Sequence, residues 1–197
     1  MILATRNRHK LGEMSELLPA LDLRPLPDEL ETPVEDGDSF EANALIKARA
    51  AHRATGEAVI ADDSGIVAED LDGAPGIYSA RYAGEGASDE ENLAKLLREV
   101  DAAAGERRAA YVCALVLIDA DGHEHVFEAR CEGTLLRAGR GGGGFGYDPA
   151  FVPDDTGPDD ERTFSELSAA EKHEVSHRGR AARLLAAHLE AAAGSPG

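Results

Sequence analysis

Two long strand-like runs joined by a short polar turn constrain the fold of this chain more than any other feature. The run AAYVCALVLID occupies 109–119, HVFEARCEGTL occupies 125–135, and the dipeptide Asp121-Gly122 lies between them. An Asp-Gly step between two strand-like runs is typical of a β-hairpin. The sequence therefore predicts a long antiparallel strand pair.

The same hairpin bears on the two cysteines of the chain. If residues 121–122 form a two-residue turn, Cys113 lies opposite Arg130 and Cys131 lies opposite Val112. Successive side chains of a strand point to opposite faces of the sheet, so this register places the two thiols on opposite faces. We therefore expect buried, reduced cysteines with no disulfide between them.

Strand-like and helical segments alternate through the rest of the chain. Apolar strands are predicted at 2–4 and 58–62, a surface loop at 25–37, and a helix after Asn7 as its N-cap. Capping-box spacing, in which a small polar residue precedes an acid by three positions, begins three further helices. These pairs are Asp38/Glu41, Ser88/Glu91 and Ser168/Glu171. We expect an α/β fold with a mixed sheet, a single domain over 1–190, and a frayed tail over 191–197.

The charge balance excludes whole classes of partner. The chain carries 38 acidic and 20 basic residues, for a formal net charge of −18. Nucleic acids and anionic membranes are bound through basic surfaces, so neither is expected as a partner. The N-terminus lacks a signal-peptide core, and no apolar run approaches the roughly 18 residues of a membrane span. We expect a cytoplasmic protein that binds a small molecule.

The first segment with chemical potential is TRNRHK at 5–10, between a strand and a helix. A helix N-terminus offers unpaired N–H groups and the positive end of the helix dipole, which both suit a phosphate group. Basic side chains add positive charge in a chain that is otherwise strongly acidic. The glycines of a Walker A loop are missing. A helix cap with solvated basic residues explains the segment equally well.

The second segment is Asp62-Asp63-Ser64-Gly65, predicted at the carboxyl end of a buried strand. Two adjacent carboxylates repel each other unless a cation or hydrogen-bond donors relieve them. Mg²⁺ is commonly held by one or two carboxylates together with substrate phosphates. A solvated polar turn is the alternative.

Further candidates for ligand binding are one lysine, one glycine-rich segment with aromatic residues, and one basic segment. Lys47 shares a helix face with apolar residues, so it either extends to solvent or points into a cleft. The glycine-rich run GGGGFGYDP at 141–149 offers an aromatic ring for stacking on a planar ligand. Lys172 and the Ser176-His177-Arg178 step precede the last helix. Core packing and a solvated helix start are the structural alternatives.

Taken in order, these segments resemble the inosine/xanthosine triphosphate pyrophosphatase family. The matching stretches are ATRNRHK (4–10), FEANALIKA (40–48), ADDSGIVAEDLDGAPGIYSARYAG (61–84), GFGYDPAF (144–151) and EKHEVSHRGRA (171–181). The resemblance implies a long twisted mixed sheet flanked by helices, two lobes around a central cleft, and a homodimer. It also implies Mg²⁺-dependent hydrolysis of the noncanonical purine triphosphates ITP, dITP and XTP to the monophosphate and pyrophosphate.

The resemblance also implies a role for individual residues. Asp63 is the expected general base and a metal ligand, and Asp62 is a second expected metal ligand. Glu35 is preferred as the further metal ligand over Glu41, because helix capping already explains Glu41. Ser64 is expected to touch the substrate. The other predicted substrate-binding residues are Thr5, Arg6, Asn7, Arg8, His9, Lys10 and Lys47 for the phosphates, and Phe145, Gly146, Tyr147, Asp148, Lys172, His177 and Arg178 for the base.

Base choice and affinity follow from the same residues. Donors such as Arg178 and His177 would face the 6-oxo group of the purine, whereas adenine presents an amino donor there and leaves those donors unpaired. The run 138–144 departs from the Pro-Arg-Gly or Pro-Ala-Gly step that similar proteins often carry before the FGYD motif. A loop so rich in glycine loses more entropy on ordering, which bears on substrate affinity.

Other functions are also compatible with the sequence. One is a related pyrophosphatase that acts on modified pyrimidine or ordinary deoxynucleoside triphosphates. Another is a nucleotide-binding module without catalysis, against which the intact Asp62 and Asp63 argue. Haloacid-dehalogenase chemistry is disfavoured, because the first strand lacks the DxDx[TV] nucleophile motif.

Overall fold

The computed structural model describes residues 1–157 and 159–194. Its strands are β1 (Ile2–Leu3), β2 (Arg24–Pro25), β3 (Val59–Ala68), β4 (Arg108–Ile118), β5 (Glu124–Leu135) and β6 (Phe151–Pro153). Its α-helices are α1 (Arg8–Leu17), α2 (Phe40–Thr55), α3 (Asp89–Ala103), α4 (Ala169–Val175) and α5 (His177–Gly194).

The strands form one six-stranded sheet in the order β2-β1-β3-β4-β5-β6. β1 pairs in parallel with β2 and β3, whereas β5 and β6 are antiparallel. The sheet is therefore mixed and carries helices against it, which confirms the predicted α/β class.

Local capping explains where most helices begin. The side chain of Asn7 accepts hydrogen bonds at the start of α1, and full capping boxes are formed by Ser88 with Glu91 and by Ser168 with Glu171. Each cap satisfies backbone N–H groups that a helix start leaves without intrahelical partners.

The predicted capping box of α2 is wrong by one residue. Ser39, not Asp38, is the N-cap, and its hydroxyl accepts from Ala42 N at 3.1 Å. Glu41 is exposed and takes no part in this cap. Serine and aspartate are comparable N-caps, so the sequence alone does not choose between neighbouring candidates.

The chain forms two compact units. Unit 1 comprises Met1–Asp63, Cys113–Ala129 and the chain from Arg178 on, and unit 2 comprises Ser64–Val112 and Arg130–His177. In unit 1, one apolar cluster joins Ile60 of β3 to α1 and α5, and another joins Ala61 of β3 to α2. In unit 2, an apolar cluster is built around Phe151 and Phe164.

The hairpin register is shifted by one residue from the prediction. Asp119 N donates to His123 O at 3.0 Å, and at the far end Leu135 N donates to Arg107 O at 2.9 Å. The turn therefore spans 120–122, and the left-handed φ of +85° at Gly122 is typical of a turn with a bulge.

This register changes the relation between the cysteines. Cys113 now lies opposite Ala129 and Cys131 lies opposite Tyr111, so both thiols are on the same face of the sheet, contrary to the prediction. The diagonal separation of about 7–8 Å is too long for a disulfide, which needs β-carbons within about 4.5 Å. Both thiols are buried and no disulfide joins them, as predicted.

β3 is longer than the sequence suggested. The acids at 62–63 were expected to end a strand, but β3 continues through them to Ala68. At the chain end, α5 extends through 191–194, which were predicted as part of a frayed tail, and 195–197 lie outside the described residues. Within the described part of the chain, no helix combines the length and apolar character needed to cross a bilayer.

Candidate active site

The first group of predicted site residues lies in unit 1 and brings acids against cations. We call it the acid–cation cluster; its members are Lys10, Glu35, Lys47, Asp62, Asp63 and Arg178. β1 pairs with β3 only as far as Leu3 and Ile60, so both aspartates lie on the part of β3 beyond the end of β1. Because adjacent strand residues point to opposite faces, cations from different helices reach the two carboxylates.

Asp62 is buried against two cations. Lys10 Nζ on α1 lies 2.9 Å from Asp62 Oδ2, and Arg178 Nη2 on α5 lies 3.6 Å from the same oxygen. Burial by itself favours the neutral acid, but Lys10, Arg178 and Lys47 outweigh it and hold the pKa of Asp62 well below its usual range. Asp62 is therefore ionised at neutral pH and holds α1 and α5 together. Its predicted role as a metal ligand stays a prediction.

The pKa of Asp63 is shifted in the opposite direction from that of Asp62. Burial raises its pKa and the nearby Glu35 carboxylate adds to the effect, although Lys47 and Lys10 oppose it. Lys47 Nζ lies 2.8 Å from Asp63 Oδ1, and Asn43 Nδ2 lies 3.5 Å from Asp63 Oδ2. A carboxylate with a raised pKa accepts a proton more readily than an ordinary aspartate, which is the property that a general base requires.

Lys47 joins Asp63 to the loop acid Glu35. Its Nζ is 2.9 Å from Glu35 Oε2, and although burial lowers its pKa, the carboxylates of Asp63, Asp62 and Glu35 raise it overall. One carboxylate oxygen of Glu35 and one of Asp63 thus both contact the positively charged Lys47 ammonium. Carboxylate oxygens are the ligands that hard divalent cations take, so this donor pair fits such a cation.

The start of α1 differs in one respect from the prediction. Asn7 Oδ1 accepts from His9 N at 2.9 Å and from Lys10 N at 3.2 Å, while Thr5 Oγ1 accepts from Asn7 N at 3.1 Å. Amide groups that were expected to be open for a phosphate are therefore bound by the cap. The side chains of Arg8 and His9 are exposed there, and their phosphate-binding role stays a prediction.

Arg6 contacts the loop that follows β2. Its guanidinium donates to the carbonyl oxygens of Leu26, Pro27 and Leu30, at 3.1, 2.8 and 2.6 Å. The structure therefore places Arg6 against a loop of the fold, and its predicted contact with the substrate phosphates stays a prediction.

The second group lies in unit 2 and surrounds Asp148. We call it the loop cluster; it contains Tyr111, Phe145, Asp148, Lys172 and His177. Asp148 is 3 % exposed; its Oδ1 accepts from Tyr111 Oη at 3.0 Å, and its Oδ2 accepts from Lys172 Nζ at 2.8 Å and Phe145 N at 3.0 Å. Asp148 was predicted to accept from a ligand, and here it organises the glycine-rich loop.

The rings of the loop cluster are stacked. His177 lies parallel to Tyr111, with ring centroids 4.6 Å apart and planes inclined by 8°. Lys172 Nζ lies 5.2 Å from the centre of the Phe145 ring, within the range of a cation–π contact. Lys172 and His177 are both buried, so their donors are desolvated and selective for what they contact.

The structure places other predicted residues in supporting positions. Tyr147 is buried, and its hydroxyl donates to Ser79 O at 2.7 Å, so it packs into the core and is not exposed for a base. Gly146 N donates to Asp89 Oδ2 at 2.7 Å. Ser64 follows the acid pair on β3 and is half-buried.

Arg178 begins the last segment of unit 1 and directly follows His177 in the sequence. Its guanidinium binds Glu13 of α1 and faces Asp62. The predicted reading of the purine by Arg178 stays a prediction. The sequence analysis missed Glu13 and Asn43, since an acid inside a helix and an asparagine on an apolar face carry no pattern that distinguishes them.

An acidic turn elsewhere in unit 1 has a structural explanation. Asp119, Asp121 and His123 bring potential metal-binding atoms within 4.8 Å of one another. Asp119 Oδ1, however, accepts from the backbone amides of Asp121 and His123 at 2.9 Å each, as a turn-capping aspartate does.

Comparison with known proteins identifies the family. The sequence profile of the Ham1 family matches residues 1–188. A dITP/XTP pyrophosphatase from Geobacter sulfurreducens is 46% identical over 195 residues, covering 96% of each chain. A second dITP/XTP pyrophosphatase, from Mycolicibacterium paratuberculosis, is 47% identical over 205 residues, covering 100% of this chain and 98% of its own.

Solved structures agree with the sequence comparison. A HAM1 protein from Coxiella burnetii superposes with a TM-score of 0.85 at 38% identity, covering 96% of this chain and 97% of its own. Family profile, sequence and fold agree over nearly the whole length, which confirms the resemblance found in the sequence. The chain belongs to the Ham1 family.

Proposed function

We propose that this protein hydrolyses noncanonical purine nucleoside triphosphates (ITP, dITP and XTP) to the monophosphate and pyrophosphate. The observation that carries the proposal is the acid pair of β3, in which Asp62 is held ionised by cations while the pKa of its neighbour Asp63 is raised. Relatives that match over nearly the full length are dITP/XTP pyrophosphatases, which supports the same reaction here.

Asp63 is the proposed general base for attack of water on the α-phosphorus. Its Oδ1 accepts from Lys47 Nζ at 2.8 Å. Its Oδ2 makes a longer contact of 3.5 Å with Asn43 Nδ2. Oδ2 is therefore the oxygen we assign to receive the proton of water. Lys10 and Lys47 supply positive charge for the pyrophosphate that leaves.

Nucleotide pyrophosphatases generally need a divalent metal, and we propose Mg²⁺ held by Glu35 and Asp63. When bound, Mg²⁺ neutralises charge that develops on the phosphate oxygens. The support for this assignment is the convergence of the two carboxylates on Lys47.

The loop cluster is the proposed site of base recognition. Lys172 and His177 are buried cationic or donor groups; Lys172 Nζ lies 5.2 Å from the centre of the Phe145 ring, and the His177 ring stacks on Tyr111. A 6-oxo purine accepts from such donors, whereas adenine places its own amino donor against them and leaves a buried donor unpaired.

A panel of nucleoside triphosphates with Mg²⁺, scored for pyrophosphate and monophosphate, tests the proposal. ITP, dITP and XTP should be cleaved well ahead of ATP and the ordinary deoxynucleotides, and Asp63→Asn should remove turnover while nucleotide binding persists. Glu41→Gln, which changes an exposed acid on α2, is the matched control and should keep full turnover. Turnover of Asp63→Asn within a few-fold of the unaltered protein would exclude Asp63 as the base.

Three further expectations complete the proposal. We propose that residues 1–190 act as a single domain, that the protein is a homodimer, and that it acts in the cytoplasm on the nucleotide pool. Light scattering after gel filtration tests the dimer directly.

A further inference from the structure

The loop that carries Glu35 contains no regular secondary structure. It runs from the end of β2 at Pro25 to the start of α2 at Phe40, and near Glu35 the side chain of Val34 is 79% exposed. Conformational entropy opposes holding a residue of such a loop in one place. The position of Glu35 beside Asp63 therefore needs contacts that anchor the loop.

The first anchor is Arg6. Its Nη1 donates to Leu26 O at 3.1 Å and to Asp28 Oδ1 at 3.3 Å, and its Nη2 donates to Pro27 O at 2.8 Å and Leu30 O at 2.6 Å. A planar guanidinium with its donors spread over several carbonyl groups fixes the path of the backbone around it.

The second anchor is Asn43, which is 1% exposed on α2. Its Oδ1 accepts from Gly37 N at 2.9 Å, and its Nδ2 faces Asp63 Oδ2 at 3.5 Å. A β-carbon at Gly37 would lie only 2.7 Å from the β-carbon of Ala42, so the close approach of loop and helix requires glycine here. One side chain thus contacts both the loop and the proposed general base.

Glu35 lies between these anchors, and its carboxylate reaches Lys47 at 2.9 Å. We infer that Arg6 and Asn43 are positioning residues that hold Glu35 beside Asp63, so that the two carboxylates are pre-arranged for a divalent cation. The inference rests on the proposed function in one respect, the assignment of Glu35 and Asp63 as metal ligands.

Binding of Mn²⁺ alone measures this pre-arrangement without any turnover. The electron paramagnetic resonance signal of the unbound ion disappears as Mn²⁺ binds, so its loss gives the affinity. Each lost hydrogen bond of an anchor should weaken Mn²⁺ binding by about 3- to 10-fold. Asn43→Ala and Arg6→Lys should both do so, and Glu35→Gln should weaken it at least as much. Arg6→Lys retains the charge but not the fork of donors, and Arg6 is partly exposed, so this variant is expected to fold.

Asn92 provides a matched control in unit 2. It is also a buried asparagine on a helix, its Oδ1 accepts from Ala83 N at 2.7 Å, and its Nδ2 donates to Ala80 O at 3.3 Å. Asn92→Ala should lower the melting temperature about as much as Asn43→Ala and leave Mn²⁺ affinity unchanged.

Three results would overturn the inference. The first is an unchanged Mn²⁺ affinity in Arg6→Lys and Asn43→Ala. The second is a loss of Mn²⁺ affinity in Asn92→Ala equal to that in Asn43→Ala. The third is an unchanged Mn²⁺ affinity in Glu35→Gln. Failure of the proposed function is separate: protein that binds Mn²⁺ through Glu35 yet cleaves none of ITP, dITP and XTP loses the proposed reaction and keeps the positioning roles.

Discussion

Replacing Lys47 by methionine should destabilise the protein in a way that a divalent cation repairs. The Lys47 ammonium is the group on which Glu35 and Asp63 converge, at 2.9 and 2.8 Å. Methionine preserves much of the side-chain volume and removes the charge, so the two acids are left facing each other without a cation. Mg²⁺ bound to the same oxygens would restore the missing positive charge.

The size of the effect follows from burial. Removing one partner of a buried ion pair costs about 3–5 kcal/mol. Asp63 escapes part of this cost by taking up a proton, because burial already raises its pKa, so we expect a value of about 3 kcal/mol. A domain of this size loses about 2–4 °C in Tm per kcal/mol, which gives a fall of about 6–12 °C. The fall should be smaller at pH 5 than at pH 8, because protonated Asp63 needs no cation.

Thermal unfolding with and without MgCl₂ is the assay, and Lys172→Met is the control. Lys172 forms an equally short buried pair, 2.8 Å from Asp148, at a place to which we assign no metal. Both variants should lose stability, but Mg²⁺ should recover most of the loss in Lys47→Met alone. At a concentration 100-fold above its Kd, a ligand of the native state adds about 2.7 kcal/mol. Equal responses of the two variants to Mg²⁺ would refute the placement of the metal.

Three further predictions concern residues around the site and the helix starts. Asp62→Asn should lower stability at pH 7, and this difference should shrink progressively as the pH falls below about 4, because the unfolded chain then takes up a proton that native Asp62, with its depressed pKa, does not; denaturant titrations at pH 7 and at a series of lower pH values measure it. Burial and the nearby Asp62 raise the pKa of the Cys113 thiol to about 12, so iodoacetamide should modify Cys113 only in unfolded protein, which mass spectrometry can follow. Ser39→Ala should cost about 1 kcal/mol and Asp38→Ala much less, and the reverse order in chemical denaturation would contradict the observed cap.

Features that depend on neighbouring residues were predicted well from the sequence. The helix starts at Asn7, Ser88 and Ser168 follow from a side chain and an amide group two or three residues away, so the sequence contains all that is needed. The α/β class likewise follows from local apolar patterns. The start of α2 was displaced by one residue, because Asp38 and Ser39 are both competent caps.

Features that depend on distant contacts were not predicted. The turn after Asp119 is a local exception: Asp119 Oδ1 accepts from the amides of Asp121 and His123, the turn has one residue more than expected, and this single residue moves both cysteines to one face. The acids of β3 looked like the end of a strand, because their cations Lys10 and Arg178 lie far away in the sequence. The pairing of Arg178 with Glu13 spans 165 positions, and no local pattern reports such a contact.

The alternation of Asp62 and Asp63 across the two faces of β3 makes the length of this strand as important as its composition. The carboxylate on one face meets cations from α1 and α5, and the carboxylate on the other face meets Lys47 from α2. A one-residue insertion or deletion between Ile60 and Asp62 would exchange the faces and present each acid to the wrong set of cations. Such a chain would still contain every residue type of the site. It would lose the chemistry of the site only because the side chains of β3 alternate in the wrong register.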